Sequence, residues 1–143
     1  MTPVRWAVVL AMLAMLGAAL AYLRDPPWLA TMTSGMRPWT TGADGTRYRW
    51  VGSHSSFFVP STATVVTIPM RATFGTPGEW PITATISIDD RPADQVTLSH
   101  DEWRTIEFRL PEGSSRKHRR IDIRLDRTRH DNHGVQLGEI QTR

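Results

Sequence analysis

The sequence predicts an all-β domain, a jelly-roll-like antiparallel β-sandwich of about eight strands, behind one N-terminal transmembrane helix. Three observations carry this prediction. Residues 6–23 contain no charged, proline or amide side chain. From residue 46 onward, apolar side chains recur at every second position, which is typical of half-buried strands. The chain has no cysteine, so we expect a hydrophobic core rather than disulfides to hold the domain together.

The first 23 residues are predicted to form a signal anchor. An apolar helix over residues 6–23 is roughly 27 Å long, close to the ~30 Å hydrocarbon core of a bilayer. Arg5 precedes it, which favours a cytoplasmic amino terminus and a periplasmic C-terminal domain on the inner (cytoplasmic) membrane. The tripeptide Ala19-Leu20-Ala21 also fits a signal-peptide cleavage site, so cleavage after Ala21 stays open as the alternative.

Small residues form one face of this helix. Their spacing alternates between four and three positions, which lets another transmembrane helix approach closely. The residues of this predicted helix-packing face are Ala7, Ala11, Ala14, Gly17, Ala18 and Ala21. They favour other integral membrane protein subunits, together with the lipid bilayer, as partners. An alanine-rich composition would explain the same residues without a partner.

Residues 24–45 are expected to be a juxtamembrane linker that contains proline and tryptophan. Pro26 and Pro27 end the helix, because proline cannot continue it. Trp28 and Trp39 lie close to the predicted membrane surface, where tryptophan is favoured. We expect Trp28 to contact that surface, and Trp39 to contact the surface, a partner or the base of the domain itself.

Residues 46–143 hold the predicted extracytoplasmic sandwich. The clearest strand runs from Pro81 to Asp89, where Ile82, Ala84, Ile86 and Ile88 alternate with hydroxyl side chains. Pro69 interrupts the strand predicted over residues 64–74, so that strand is expected at an edge or to carry a bulge. A second bulge is expected at Gly138, where the alternation breaks.

Two polar clusters are the candidate contact sites. The basic run supplies Arg116, Lys117, Arg119 and Arg120, which would meet anionic lipid headgroups or an acidic partner. A ligand loop would combine Trp80 with His130, Asp131 and His133. The two histidines lack a third ligand at a recognisable spacing, so we expect no metal.

The remaining chemistry is sparse. The net charge of +3 is too small to favour nucleic acid, and no nucleophile elbow, phosphate-binding glycine loop or zinc helix motif is present. Trp103 precedes an alternating strand and is expected in the core. We therefore predict no catalytic residues, no cofactor and no enzymatic activity.

Three segments carry a family resemblance: DEWRTIEFRLPEG (101–113), RRIDIRLDRT (119–128) and HGVQLGEIQ (133–141). They resemble the jelly-roll domains of bacterial single-helix envelope proteins, which also occur beside membrane glycosyltransferase-like proteins. Such domains often end in D-x-R-x-L-G-V-x-V-x-x-I. This chain has DNHGVQL over residues 131–137, so the usual Arg and Leu are missing.

Two functions follow as hypotheses. The first is a non-catalytic accessory subunit that packs on and stabilises a larger membrane complex, because the chain has a small-residue helix face, two linker tryptophans and no catalytic constellation. Such a chain resembles single-helix subunits of bacterial energy-transducing complexes such as photosynthetic reaction centres. The alternative is a membrane-tethered glycan-binding module of the cell envelope, which rests on the predicted fold.

Overall fold

A computed structural model describes residues 3–73, 80–129 and 134–143. It begins with helix α1 (Pro3–Arg24), none of whose residues is buried. A short 3₁₀ helix (Pro27–Thr31) follows, and its Leu29 is buried against the domain. Helix α1 is long and apolar enough to cross a membrane, although a signal sequence would fit the same description. It makes no apolar packing with the sandwich, so the domain does not account for its hydrophobicity.

The rest of the described chain is mostly strand. Ten strands are present in it: β1 (Thr33–Met36), β2 (Thr40–Thr41), β3 (Arg47–Pro60), β4 (Val65–Ala72), β5 (Ile82–Ile88), β6 (Arg91–Leu98), β7 (Arg104–Arg109), β8 (His118–Leu125), β9 (Val135–Leu137) and β10 (Gln141–Thr142). All their pairings are antiparallel. The predicted antiparallel β-sandwich is confirmed.

Strand β3 connects the two layers of the sandwich. Its second half pairs with β8, and the first layer continues from β8 through β5 to the edge strand β6. Its first half pairs with β9, and the second layer continues through β4 to β7, with β10 also on β4. Because one strand serves both layers, a change in β3 affects the whole domain.

The core lies between these layers and follows the predicted alternation. Every second residue of β5 is buried, namely Ile82, Ala84, Ile86 and Ile88. The same parity holds in β4 and β8, and it buries Val66, Ile68, Met70, Ala72, Ile121, Ile123 and Leu125. Burying a large apolar side chain contributes roughly 1.5–3 kcal/mol, so these residues account for much of the stability.

The segment predicted to be a linker adds strands to the sandwich. Strand β1 pairs with β3 through Thr33–Phe57 and Ser34–Ser56, and β2 pairs with the start of β3. Gly35 makes this possible, because its φ of +66° suits glycine and its Cα lies against the carbonyl of His54. The domain therefore begins near residue 26 rather than at residue 46.

Pro69 lies in an interior strand, with β7 on one side of β4 and β9 and β10 on the other. The expected edge position is therefore wrong. An irregularity is present, but it lies in the chain that faces Pro69 rather than in β4 itself. Between β9 and β10 the ladder breaks at Gly138, whose N–H donates to the Pro69 carbonyl at 2.9 Å. The proline nitrogen, which has no hydrogen to donate, thus faces a gap in the ladder.

The two ends of the sandwich differ in their distance from α1. At the end we call proximal, Arg24 Nη2 donates to Ser115 Oγ at 2.6 Å, and Lys117 N donates to Asp25 Oδ1 at 3.0 Å. Strand β4 starts at this end and, at 3.4 Å per residue, carries the chain roughly 25 Å away. At the opposite, distal end, Ala72 pairs with Val135.

Candidate functional site

Four side chains form a row across the outer face of the second layer. Gln136 in β9 is the direct cross-strand partner of both Trp50 in β3 and Arg71 in β4. All three side chains therefore point the same way. Their neighbours Val51, Val135 and Ala72 are buried, so the row faces outward. Trp103, which was expected in the core, is instead half-buried just before β7 and completes the row beside Arg71. We call Trp50, Gln136, Arg71 and Trp103 the distal row.

Arg71 holds the row together. Its Nε and Nη2 donate to Gln136 Oε1 at 3.0 and 2.7 Å. Its guanidinium carbon lies 5.0 Å from the centroid of the Trp103 ring, and its Nε lies 3.6 Å from Asp101 Oδ1. A cation over an aromatic face contributes about 0.5–1 kcal/mol at an exposed site. The guanidinium is therefore fixed in one orientation by three different neighbours.

The row combines buried polar groups with partly exposed rings. Gln136 is only 4% exposed, whereas Asp101 keeps 58% of its side chain in solvent. Tyr48 extends the aromatic surface, since its ring meets that of Trp50 edge to face at 5.9 Å. Trp103 Nε1 is buried without a hydrogen-bond partner among the described residues. Rings, an amide, a guanidinium and a carboxylate thus converge on one surface.

Asp44 borders this surface through the turn before β3. Its Oδ1 accepts a hydrogen bond from Thr46 N at 3.0 Å, and Gly42 in the same turn lies near the Tyr48 ring. The backbone and side-chain hydrogen bonds from Thr46 lower the pKa of the Asp44 carboxyl, and the charge of Arg71 adds to this effect. The carboxylate form is thereby favoured at the edge of the distal row.

The predicted ligand loop is only partly described. His130, Asp131 and His133 lie outside the described residues. Trp80 is described, and it is half-buried and packs against the core. Its role as a ligand contact stays a prediction.

The two linker tryptophans have different surroundings. Trp28 is 51% exposed, in the 3₁₀ helix next to α1. Trp39 packs against two guanidinium groups, since those of Arg47 and Arg49 lie 4.8 and 4.6 Å from its ring centroid. Burial lowers the pKa of Arg49. Trp39 lines a groove of about 480 Å³ at the open edge between the layers. Contact of either tryptophan with a membrane or partner stays a prediction.

The basic run divides into paired and exposed side chains. Arg119 is 7% exposed and donates to Asp89 Oδ2 at 2.9 Å and to the Pro111 carbonyl at 2.6 Å. Arg120 pairs with Asp90 and donates to Asp122 Oδ2 at 2.8 Å. The hydrogen bond to Asp122 raises the pKa of Arg120. Arg116 and Lys117 are exposed and form no ion pair among the described residues, whereas Arg120 is paired although 40% of its side chain is exposed.

The helix-packing face is exposed along its whole length. This face consists of Ala7, Ala11, Ala14, Gly17, Ala18 and Ala21, and none of the six is buried. A Cβ added to Gly17 would meet no atom within 4 Å. Packing on another helix therefore stays a prediction, and the domain itself does not use this face.

Sequence reasoning did not identify the distal row as a site. Period two does place Arg71 and Gln136 on outward positions, but it does not say which strands are neighbours. Among residues 3–73, 80–129 and 134–143, no group of three or more His, Cys, Asp or Glu could hold a metal. The distal row instead combines aromatic and hydrogen-bonding side chains on one face.

No family model and no curated protein matches this chain. Solved structures do match. One is a family two carbohydrate esterase from Clostridium thermocellum in complex with cellohexaose, at 12% identity and a TM-score of 0.48, covering 77% of this chain and 30% of that one. Another holds the CBM51-2 and INT domains of Clostridium perfringens ZmpB, at 7% identity and a TM-score of 0.49, covering 78% and 28%. This chain therefore spans less than a third of the first structures it matches.

A third structure is CBM51 from Clostridium perfringens GH95 in complex with methyl-galactose, at 8% identity and a TM-score of 0.47, covering 73% of this chain and 79% of that one. No matched structure that we report is a subunit of a membrane complex. The resemblances to photosynthetic accessory subunits and to glycosyltransferase-associated domains are therefore unsupported. At these identities and TM-scores the structural similarities support no conclusion about function. Any functional proposal therefore has to rest on the geometry of this chain.

Proposed function

We propose that this chain is a membrane-tethered glycan-binding module of the cell envelope, with the distal row as its binding surface. One observation carries the proposal: the convergence of Trp50, Gln136, Arg71 and Trp103 on one outward face. The row supports the alternative hypothesis of the sequence analysis rather than the accessory-subunit hypothesis.

The chemistry of a sugar suits such a surface. A pyranose ring has an apolar C–H face that packs on aromatic rings, and its hydroxyls both donate and accept hydrogen bonds. Tyr48 and Trp50 would supply the apolar contact. Arg71 would donate to hydroxyl oxygens, and Asp101 would accept from hydroxyl hydrogens. Because the positive charge of Arg71 and the negative charge of Asp101 compensate each other, the surface favours a neutral, hydroxyl-rich glycan.

Pre-organisation adds to the affinity of such a site. Arg71 is already held by Gln136, Asp101 and Trp103, so little side-chain entropy is lost when a ligand binds. A flexible surface arginine would lose roughly 0.5–1.5 kcal/mol on the same contact.

The tether would present this surface to the envelope. If α1 crosses the inner membrane with its amino terminus in the cytoplasm, the domain is periplasmic. The distal row would then lie roughly 20 Å or more beyond the end joined to α1, a distance set by the length of β4. A polysaccharide could reach it without contacting the bilayer.

The test compares two arginine substitutions on one sheet face in the full-length protein. Arg71→Met removes the guanidinium from the row, and Arg109→Met removes an exposed guanidinium from β7 at the proximal end. Cosedimentation with insoluble envelope polysaccharides and titration with soluble oligosaccharides measure binding. Urea unfolding of both variants checks that each is folded.

We expect the wild type to bind at least one neutral glycan, Arg71→Met to bind at least tenfold more weakly, and Arg109→Met to bind as the wild type does. Equal weakening in both variants would contradict a site at the distal row. A wild type that binds no glycan, but copurifies in mild detergent with an integral membrane complex, would favour the accessory-subunit hypothesis instead.

A further inference from the structure

A second groove opens at the proximal end, between the β5–β6 turn and the loop before β8. Its volume is about 510 Å³, and its lining includes Arg91, Arg116 and Arg119. The end of α1 is fixed beside it by the hydrogen bonds from Arg24 to Ser115 and from Lys117 to Asp25. If α1 spans a bilayer, this groove lies at the headgroup level.

The charges of the groove do not cancel. Asp89 pairs with Arg119, and Asp90 pairs with Arg120. Arg91, Arg116 and Lys117 form no ion pair within the part of the chain that the structure describes. Arg24, whose guanidinium donates to a serine hydroxyl, adds a fourth cation at the rim.

Glu112 is the remaining acid on the groove lining. On the lining, the unpaired cations Arg91 and Arg116 face this one carboxylate. At the rim, the cations Arg24 and Lys117 accompany one acid, Asp25. The groove keeps a net positive charge after its internal pairs are taken into account.

Two residues of the groove lining also carry buried nitrogens with unmet hydrogen-bonding capacity. Arg119 Nε and His118 Nδ1 are buried, and neither has a hydrogen-bond partner among the described residues. Both residues line the groove, as do the hydroxyl-bearing Ser114 and Ser115. Polar nitrogens of this kind are rarely left without a partner in a folded protein.

We propose that this groove binds the phosphate of an anionic phospholipid in the leaflet that α1 leaves. Arginine presents a planar fork of donors that matches phosphate oxygens. The groove lining offers two unpaired arginines, Arg91 after the β5–β6 turn and Arg116 in the loop before β8. The negative surface potential of an anionic leaflet further attracts basic residues close to the bilayer. The inference depends on α1 as an anchor and is independent of the distal row.

The experiment measures lipid retention by the full-length protein. Native mass spectrometry counts the lipids that stay bound after exchange into detergent with equal amounts of phosphatidylglycerol and phosphatidylcholine. The groove variant is Arg91→Gln with Arg116→Gln. The matched control is Arg37→Gln with Arg124→Gln, which changes the net charge equally on exposed residues far from the groove.

We expect the wild type and the control pair to prefer phosphatidylglycerol. In the groove pair this preference should be roughly thirtyfold weaker, since each basic residue near an anionic surface contributes about a factor of five. The single variant Arg116→Gln should show a preference for phosphatidylglycerol between those of the wild type and the groove pair. It serves as the test if the double variant does not fold. Equal losses in the groove pair and the control pair would overturn the proposal, because they would indicate net charge alone.

A second arm separates a lipid from a soluble phosphate compound. Inorganic phosphate is titrated into the detergent-solubilised protein while thermal unfolding is followed. Stabilisation by phosphate that disappears in the groove pair, without any preference for phosphatidylglycerol, would overturn the lipid assignment. No preference for phosphatidylglycerol in the wild type would also overturn it.

Discussion

Two arginines, one at each end of the sandwich, have opposite surroundings. At the proximal end, Arg119 is buried, its charge is compensated by Asp89, and it donates to the Pro111 carbonyl, so its guanidinium holds a loop in place. At the distal end, Arg71 keeps 25% of its side chain in solvent and lies over an aromatic ring. An arginine that is enclosed by acceptors supports the fold. One that is fixed but partly exposed can also bind a ligand.

The largest effect is expected from Gly35→Ala, which would disrupt both ends together. A Cβ at Gly35 would lie 2.0 Å from the His54 carbonyl oxygen, in a backbone with φ of +66°. We expect a loss of about 3 kcal/mol or more in the free energy of unfolding, since a left-handed conformation alone costs roughly 1–2 kcal/mol. Urea unfolding measures it.

Gly45→Ala is the control for that change. Gly45 has φ of +80°, but a Cβ there would meet no atom within 4 Å. Only the conformational cost of about 1–2 kcal/mol should appear. Equal losses at Gly35 and Gly45 would show that the close approach of β1 to β3 is unimportant.

The next largest effect compares the two arginines directly. Arg119→Met leaves the Pro111 carbonyl without its donor and Asp89 without its guanidinium, and should cost about 2–3 kcal/mol. Arg71→Met leaves the buried Gln136 Oε1 without its two hydrogen bonds, and should cost about 1–2 kcal/mol. Urea midpoints with a common slope give both values. A cost at Arg71 equal to that at Arg119 would mean that the distal row is mainly structural.

The smallest effect concerns pH at the edge of the distal row. The pKa of the folded Asp44 lies below its ordinary value of 3.8, because Thr46 donates to the carboxylate. Its stabilising contribution is therefore fully present above the unfolded pKa and is lost as the pH falls through the folded pKa. The wild type should exceed Asp44→Ala in urea midpoint near pH 6, and the difference should shrink below about pH 4. A difference that is constant with pH would contradict this assignment.

The sequence could have shown that Arg119 is buried. Ile121, Ile123 and Leu125 are inward residues of β8, and Arg119 shares their parity. A run of five basic or histidine residues instead resembles a solvated loop, which is why the prediction assigned Arg119 to an external partner. The alternation between inward and outward positions continues into the charged residues of β8, because it is set by the pleat of the strand and not by side-chain polarity.

Strands β1 and β2 were beyond prediction from local pattern. Thr33–Met36 has no apolar alternation, and all but one of its residues are exposed. It is a strand because β3 offers unpaired backbone groups that it can satisfy, which is a property of the neighbour rather than of the segment. Clear alternation, as in β5, comes from a face that must be buried and is visible in sequence.

By itself, the sequence determined the apolar helix and the period-two strands, and therefore the antiparallel sandwich, because hydrophobic burial imposes the period of each element on its own residues. Only the tertiary structure decided the distal row and the proximal groove. Trp50, Arg71 and Gln136 are far apart in the chain, and the register of β3, β4 and β9 alone makes them neighbours. Register depends on pairing between strands, which the pattern within one strand does not encode.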